Sequence, residues 1–240
     1  MNLKKYKRAF VVSIVILLVG VIAYILGWST LLTVKQIEIT GTSSQAVISN
    51  QLASKEITLT PGMKLARVDV RGINRSLSEM KWLDTYSIKR SWISRDISIA
   101  VIEKTAVAKA KGANSQLLYF DKNGEIFKPI SAKQIALQSS LPLVISDKNE
   151  EADLAEVALL LAMLPDGFNE LLAGLDGISI GKSGFIVMKS AINGKNVRIN
   201  WGRADHVAQK IKVLQALVKL PENKAASNFD LSLPTSPIVS

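Results

Sequence analysis

The chain has a single histidine, His206, beside Asp205 at the start of an amphipathic stretch. Any serine–histidine–aspartate relay or histidine-bound metal would depend on that residue alone. No second signature accompanies it, and its ordinary reading is a solvated helix-end residue. Gly181-Lys182-Ser183 matches the end of a phosphate loop. That motif needs a glycine five positions before its second glycine, where this chain has Asp176. The following FIVMK reads as a strand, so no helix N-terminus is available to cradle a phosphate. Glu150, Glu151, Asp153 and Glu156 cluster as a carboxylate pair or cation site would, but acids at a helix start are favoured by the helix dipole without a ligand. Calcium loops need carboxylates alternating around a glycine, which this run lacks. There is no cysteine, which excludes disulfides, thiolate nucleophiles and cysteine metal sites. The expected inventory is therefore no catalytic, no cofactor-binding and no metal-binding residue.

The elements around these residues set their location. The chain carries 30 Lys and Arg against 20 Asp and Glu, so it suits an anionic neighbour: nucleic acid, lipid headgroups or an anionic wall polymer. The stretch from Ala9 to Val34 has no charged residue, and roughly 20 apolar residues suffice to cross a bilayer as a helix. A membrane-spanning helix is predicted over 9–33, behind a cytoplasmic tail at 1–8. The run is too long, and too poor in small residues at its end, for a cleaved signal peptide. Lys4, Lys5, Lys7 and Arg8 precede it, which puts the N-terminus in the cytoplasm and the remainder outside the membrane. Tyr24 and Trp28 suit an aromatic belt, and the seven-residue spacing of Gly20 and Gly27 does not suit a packed helix dimer. Outside the membrane the positive surplus falls to six. That placement disfavours nucleic acid, and lipid headgroups and wall polymer stay open.

Beyond the span the periodicity predicts a strand at Val34–Thr40, a short helix around Ile48 and Leu52, and a helix from Val68 to Met80 with Val70, Ile73, Leu77 and Met80 on one stripe. Two strands follow, Tyr86–Arg90 and Ile97–Ile102, joined at Trp92–Asp96. Strand, helix, helix, strand, strand is a small α+β unit. From Thr105 the pattern turns mostly to strands: AVAKA, QLLYF, a turn at Asp121-Lys122-Asn123-Gly124, EIF and LPLVI. A helix over 151–164 stops at Pro165. GISI, FIVMK and NVRINW come next, with an Asn193-Gly194 turn between the last two. A helix over 204–218 buries Val207, Ile211, Leu214 and Val218, and NFDLS is the last candidate strand before Pro234 and Pro237.

This order resembles the FtsQ/DivIB family of bacterial cell-division proteins. The most specific piece is WLDTYSIKRSWISRDISIAVIEKTAVA: a tryptophan closing the second helix, Lys89-Arg90, Trp92, an alternating strand, and Glu103-Lys104 leading to Val107-Ala108. VKQIEITG, YFDKNGEIF, WGRADHVAQKIKVLQALV and FDLSLPTSP add support in the same order. Ile93 and Ala106 stand where the family often has proline. SLPTSP resembles the ending of actinobacterial members. The resemblance implies an α+β chain with one transmembrane helix, a POTRA domain at 34–104, a mostly β domain with helices packed on its sheet at 105–233, and a tail at 234–240. Trp82 and Trp92 are then core or turn anchors of the POTRA unit rather than platforms for bases.

The same resemblance implies recruitment rather than catalysis: a single-span scaffold of the divisome, at the septum in the cell membrane. It would join other single-span division proteins, of the FtsB/DivIC and FtsL kinds, to septal wall synthesis. No nucleic acid and no small-molecule substrate is expected. Its partner-binding strand is Asn228, Phe229, Asp230, Leu231 and Ser232, expected as an exposed last strand whose free donors and acceptors let a partner segment extend the sheet. A proline at Leu231 is expected to remove one such donor. Two rivals stay open, an exported, membrane-anchored cell-wall enzyme and a POTRA-bearing export component, although no following barrel is visible for the second.

Overall fold

Alternation and helical stripes settle the local structure in both halves of the chain. The structure, a computed structural model, describes residues 3–27, 32–111, 116–146, 150–165, 168, 171, 174–192 and 194–240. The chain divides into two compact units, Met1–Glu103 and Lys104–Ser240.

The first unit opens with helix α1 (Leu3–Gly27), and here the expected transmembrane helix is corrected: no helix among the described residues is long and apolar enough to cross a membrane. The helix runs through Lys4, Lys5, Lys7 and Arg8 instead of starting after them. Its described side chains, Phe10 to Tyr24, are all exposed. Trp28, read as an aromatic-belt residue, lies outside the described residues.

The rest of the unit follows its periodicity. Strand β1 (Gln36–Thr40) leads to α2 (Gln45–Ser54), which buries Ile48 and Leu52. Helix α3 (Val70–Ser78) is capped by Asp69, whose carboxylate accepts from the Gly72 N–H at 2.9 Å, and it buries Ile73 and Leu77. Strands β2 (Leu83–Arg90) and β3 (Asp96–Glu103) complete a three-stranded sheet in the order β1-β3-β2. The central β3 buries Ile97, Ile99 and Val101 on one face, as period-two alternation demands. It pairs parallel with β1 through Ile37–Ile97 and Ile39–Ile99, and antiparallel with β2. Trp82 is buried. Trp92 is half-exposed at the hairpin tip, with the Arg90 guanidinium 4.7 Å from its ring centroid.

The second unit is built on a nine-stranded mixed sheet. Its strands in chain order are β4 (Ala108–Lys111), β5 (Leu117–Phe120), β6 (Ile126–Phe127), β7 (Leu143–Ser146), β8 (Gly177–Ile180), β9 (Ile186–Ile192), β10 (Lys195–Gly202), β11 (Asn228–Asp230) and β12 (Ile238–Val239). They lie in the order β12-β11-β10-β9-β8-β7-β4-β5-β6. Among the described residues the α-helices α4 (Ala132–Ala136), α5 (Glu151–Met163) and α6 (Val207–Lys219) interrupt them. Leu154, Val157 and Leu160 of α5 and Val207, Ile211 and Leu214 of α6 join Phe120, Val144, Ile178, Ile186, Met188, Ile199 and Trp201 in one core. The Asp121 turn forms as expected, with one carboxylate oxygen accepting from the Asn123 and Glu125 N–H groups and the other facing the Lys104 ammonium at 3.0 Å. Asn193, read as half of a tight turn, lies outside the described residues. β12 falls where a tail was expected, and its Ile-Val pair folds back onto β11.

Candidate functional site

The distal end of the large sheet holds all five residues read as partner-binding. It is assembled by a crossover: β10 runs into α6, and the chain returns as β11, parallel to β10 with Arg198–Asn228, Ile199–Phe229 and Asn200–Asp230 in register. Parallel pairing requires such a crossover. Lys210 fastens the corner. Its ammonium is fully buried and donates to the carbonyls of Trp201 at 2.8 Å and Arg203 at 2.9 Å, and to the Asp205 carboxylate at 2.5 Å. The Lys210 hydrogen bond holds the Asp205 carboxyl below its ordinary range, against the opposing effect of its slight burial.

Strand β11 is anchored on this frame. Phe229 and Leu231 are buried. The Leu231 N–H donates to the Asn200 carbonyl at 2.7 Å, toward β10. Asp230 ties the strand from its side chain: one oxygen accepts from the Asn200 amide at 2.9 Å, the other from the Ser232 N–H at 2.9 Å and the Ser232 hydroxyl at 2.6 Å. Burial pushes the Asp230 carboxyl up, but the Ser232 and Asn200 hydrogen bonds and the Arg198 charge outweigh it, and the group sits below its ordinary value. Gly202, where β10 carries a bulge, has φ +65° and lets Ser232 approach so closely that an added Cβ would meet its Cα at 2.9 Å.

The outer side of β11 differs from the expectation. Asn228–Asp230 is not an edge, because β12 pairs antiparallel with it through Phe229–Val239 and Asp230–Ile238. Asn228 and Ser240 exchange both backbone bonds, at 2.8 and 3.0 Å, and the Ser227 N–H also donates to the Ser240 carbonyl at 2.9 Å. Leu231 is therefore the wrong position for removing an outward donor: its N–H faces β10, and alternation leaves Asn228 and Asp230 to face outward. The sequence reading missed β12 and the Asn200 partner of Asp230. The signal for β12 was the β-branched pair Ile238-Val239 behind Pro237, too short to alternate visibly.

The residues weighed for chemistry sit at or near helix starts and in a turn. His206 precedes α6 with φ +48°, and its carbonyl accepts from the N–H groups of Gln209 and Lys210. Glu156 accepts from the Ala204 N–H at 2.8 Å. Glu151 and Asp153 occupy the first turn of α5. Gly181-Lys182-Ser183 forms a turn closed by the Gly184 N–H on the Gly181 carbonyl at 2.9 Å, with a strand beyond it. No cluster of three metal-ligating side chains occurs among the described residues.

Beside the edge, a cleft of about 350 Å³ is lined by Ile192, Lys195, Val197, Val218, Lys224 and Phe229, among others. The arrangement can pair an extended segment and hold apolar side chains next to it. The family described as "Cell division protein FtsQ/DivIB, C-terminal" matches residues 109–232, which take in β11 and stop before β12. No curated protein matches the chain.

Proposed function

The chain belongs to the FtsQ/DivIB family of cell-division proteins, and from that premise we propose that it is a non-catalytic scaffold of the divisome that recruits partners by strand addition at the β11–β12 end of its large sheet. The family gives the cell-division role, which in general is non-catalytic and belongs to membrane proteins of the division site. The finer reading is that this chain joins division proteins of the FtsB/DivIC and FtsL kinds and links them to septal wall synthesis at the septum.

One observation carries the reading. The large sheet ends in the two-residue strand β12, whose outer side pairs with no other strand among the described residues, so an incoming segment can extend the sheet there or take the place of β12 on β11. Main-chain hydrogen bonds then give affinity, and the cleft beside the strand chooses the partner's side chains. The β-α-α-β-β order of residues 36–103 supports a POTRA role for 34–104. On this reading that unit engages a different division protein through its own sheet edge.

Depletion followed by microscopy tests the broad function: long cells without septa are expected, and normal division would refute it. For the edge itself the informative substitution is Asn228→Pro, at the first residue of β11, which removes the donor that now bonds the Ser240 carbonyl and that a strand taking the place of β12 would need. Co-purification of co-expressed FtsB/DivIC-like and FtsL-like proteins at native abundance should fall. Undiminished recovery would remove strand addition at β11.

A further inference from the structure

Two sides of β11 are held very differently. On the β10 side it has parallel backbone pairing, two buried side chains in Phe229 and Leu231, and the Asp230 clip to Asn200 and Ser232. On the β12 side only the three-residue run Ile238–Ser240 is attached. Ile238 is 63% exposed, and only Val239 is packed against the core. The segment leading to it, Leu233 to Pro237, carries two prolines and has Leu233 66% exposed. It therefore packs few apolar atoms that would resist detachment, and such segments open at the low end of the local stability scale.

We propose that Ile238–Ser240 is a resident stand-in for a partner's strand: it closes the outer edge of β11 and is displaced by an extended segment that pairs antiparallel with Asn228–Asp230. This rests on the reading of the sheet end as the recruitment edge. The register defines the displacing segment. Opposite Phe229 it places an apolar, preferably β-branched, side chain where Val239 now packs on the core, because a non-hydrogen-bonded antiparallel pair brings those two side chains close. Opposite Asp230 it is unconstrained, as the exposed Ile238 shows. The advantage of the incoming segment lies in the cleft beside Phe229, which Ile238–Ser240 does not line. A displacing segment that runs on past the residue opposite Asn228 reaches that cleft.

The stand-in also has a protective effect. A bare edge of β11 would offer unpaired donors and acceptors to any other strand, including a second copy of this chain, and covering an edge with a short segment is a common defence against such pairing.

The test uses the full chain and a deletion of 234–240, with Val239→Asp in the intact chain as a second variant that frees the segment without shortening it. Backbone hydrogen exchange at Asn228 and Asp230 should accelerate about tenfold or more in both variants. The Leu231 amide, bonded to Asn200, should stay slow. A fluorescein-labelled synthetic peptide of residues 233–240 should bind the deleted chain at least about tenfold more tightly than the intact chain, which corresponds to about 1.4 kcal/mol. Unchanged exchange at Asn228 and Asp230, equal affinity for the two chains, or no binding to the deleted chain would each overturn the proposal. These results are separable from the recruitment reading. Cells that divide normally on depletion would defeat that reading and leave the exchange data standing. A stand-in refuted by exchange would still leave partner pairing on the outer side of β12.

Discussion

Gly202→Ala tests whether the geometry holding β11 in place is as tight as it looks. Two costs are expected. The backbone at 202 has φ +65°, where an L side chain is strained by about 1–2 kcal/mol. The new Cβ would also lie 2.9 Å from the Ser232 Cα and 3.0 Å from its Cβ. Because the obstructing atoms are at the backbone, Ser232 must move, at a further cost of about 1–3 kcal/mol. Gly184→Ala isolates the first cost. Its φ is +76°, and an added Cβ there meets only the Arg203 guanidinium, at 3.5 Å, an ordinary contact with the end of a flexible side chain. The expected destabilisation is therefore about 2–5 kcal/mol for Gly202→Ala and about 1–2 kcal/mol for Gly184→Ala. In a unit of this size each kcal/mol is about 3 °C of melting temperature. Urea unfolding of the full chain, followed by hydrogen exchange of peptides spanning 195–232, reads both numbers. It also reads a local effect specific to Gly202→Ala, faster exchange at Ser232 as its bond to Asp230 opens. Equal losses for the two variants within about 0.5 kcal/mol, with exchange at Ser232 unchanged, would refute the argument.

Asp230→Asn changes the pH profile. The Asp230 carboxyl is lowered on folding, so its contribution is present above the ordinary carboxylate value, about 3.9, and is lost as pH falls through the lower folded value. The wild-type chain should lose stability in that acid window while the variant is flatter there and weaker at pH 7; parallel profiles would contradict the clip to Ser232 and Asn200. Lys210→Met leaves the buried carbonyls of Trp201 and Arg203 without a donor, while the Asp205 side chain, 58% exposed, rehydrates. A loss of about 2–4 kcal/mol by urea unfolding is expected, and a loss below about 1 kcal/mol would show that water replaces the ammonium without strain.

Where the sequence carried a repeating physical signal, the fold was legible. β3, α3 and α5 each bury one face over several residues, so period and burial agree at Ile97-Ile99-Val101, Ile73-Leu77 and Leu154-Val157. The helix through Phe10–Tyr24 was legible as a helix but misread as a span. Hydropathy counted the uncharged run, whereas the helix itself begins among Lys4, Lys5, Lys7 and Arg8. The site was legible only in part. NFDLS could be identified as the last long apolar alternation, but which of its backbone groups face outward depends on its pairing with β10. That pairing follows from the length of the α6 crossover and not from any residue within NFDLS.

The same limit explains why β12 escaped notice and why it matters. A strand of two residues has no periodicity, and Ile238-Val239 offers only β propensity behind a proline. Its existence depends on the empty side of β11, which the folded β10–α6–β11 crossover creates. A long, apolar β12 would have been easy to read and would have closed the sheet for good. Ile238–Ser240 is lightly held: it lays down the Asn228–Ser240 and Asp230–Ile238 backbone pairs, the Ser227–Ser240 bond and one packed valine. Lengthening it should therefore trade recruitment for stability. Replacing Pro237 with valine extends the β-branched run, and it should slow exchange at Asp230 while reducing recovery of co-expressed FtsB/DivIC-like partner. If exchange slows and recovery is unchanged, the partner pairs with β12 itself rather than in its place.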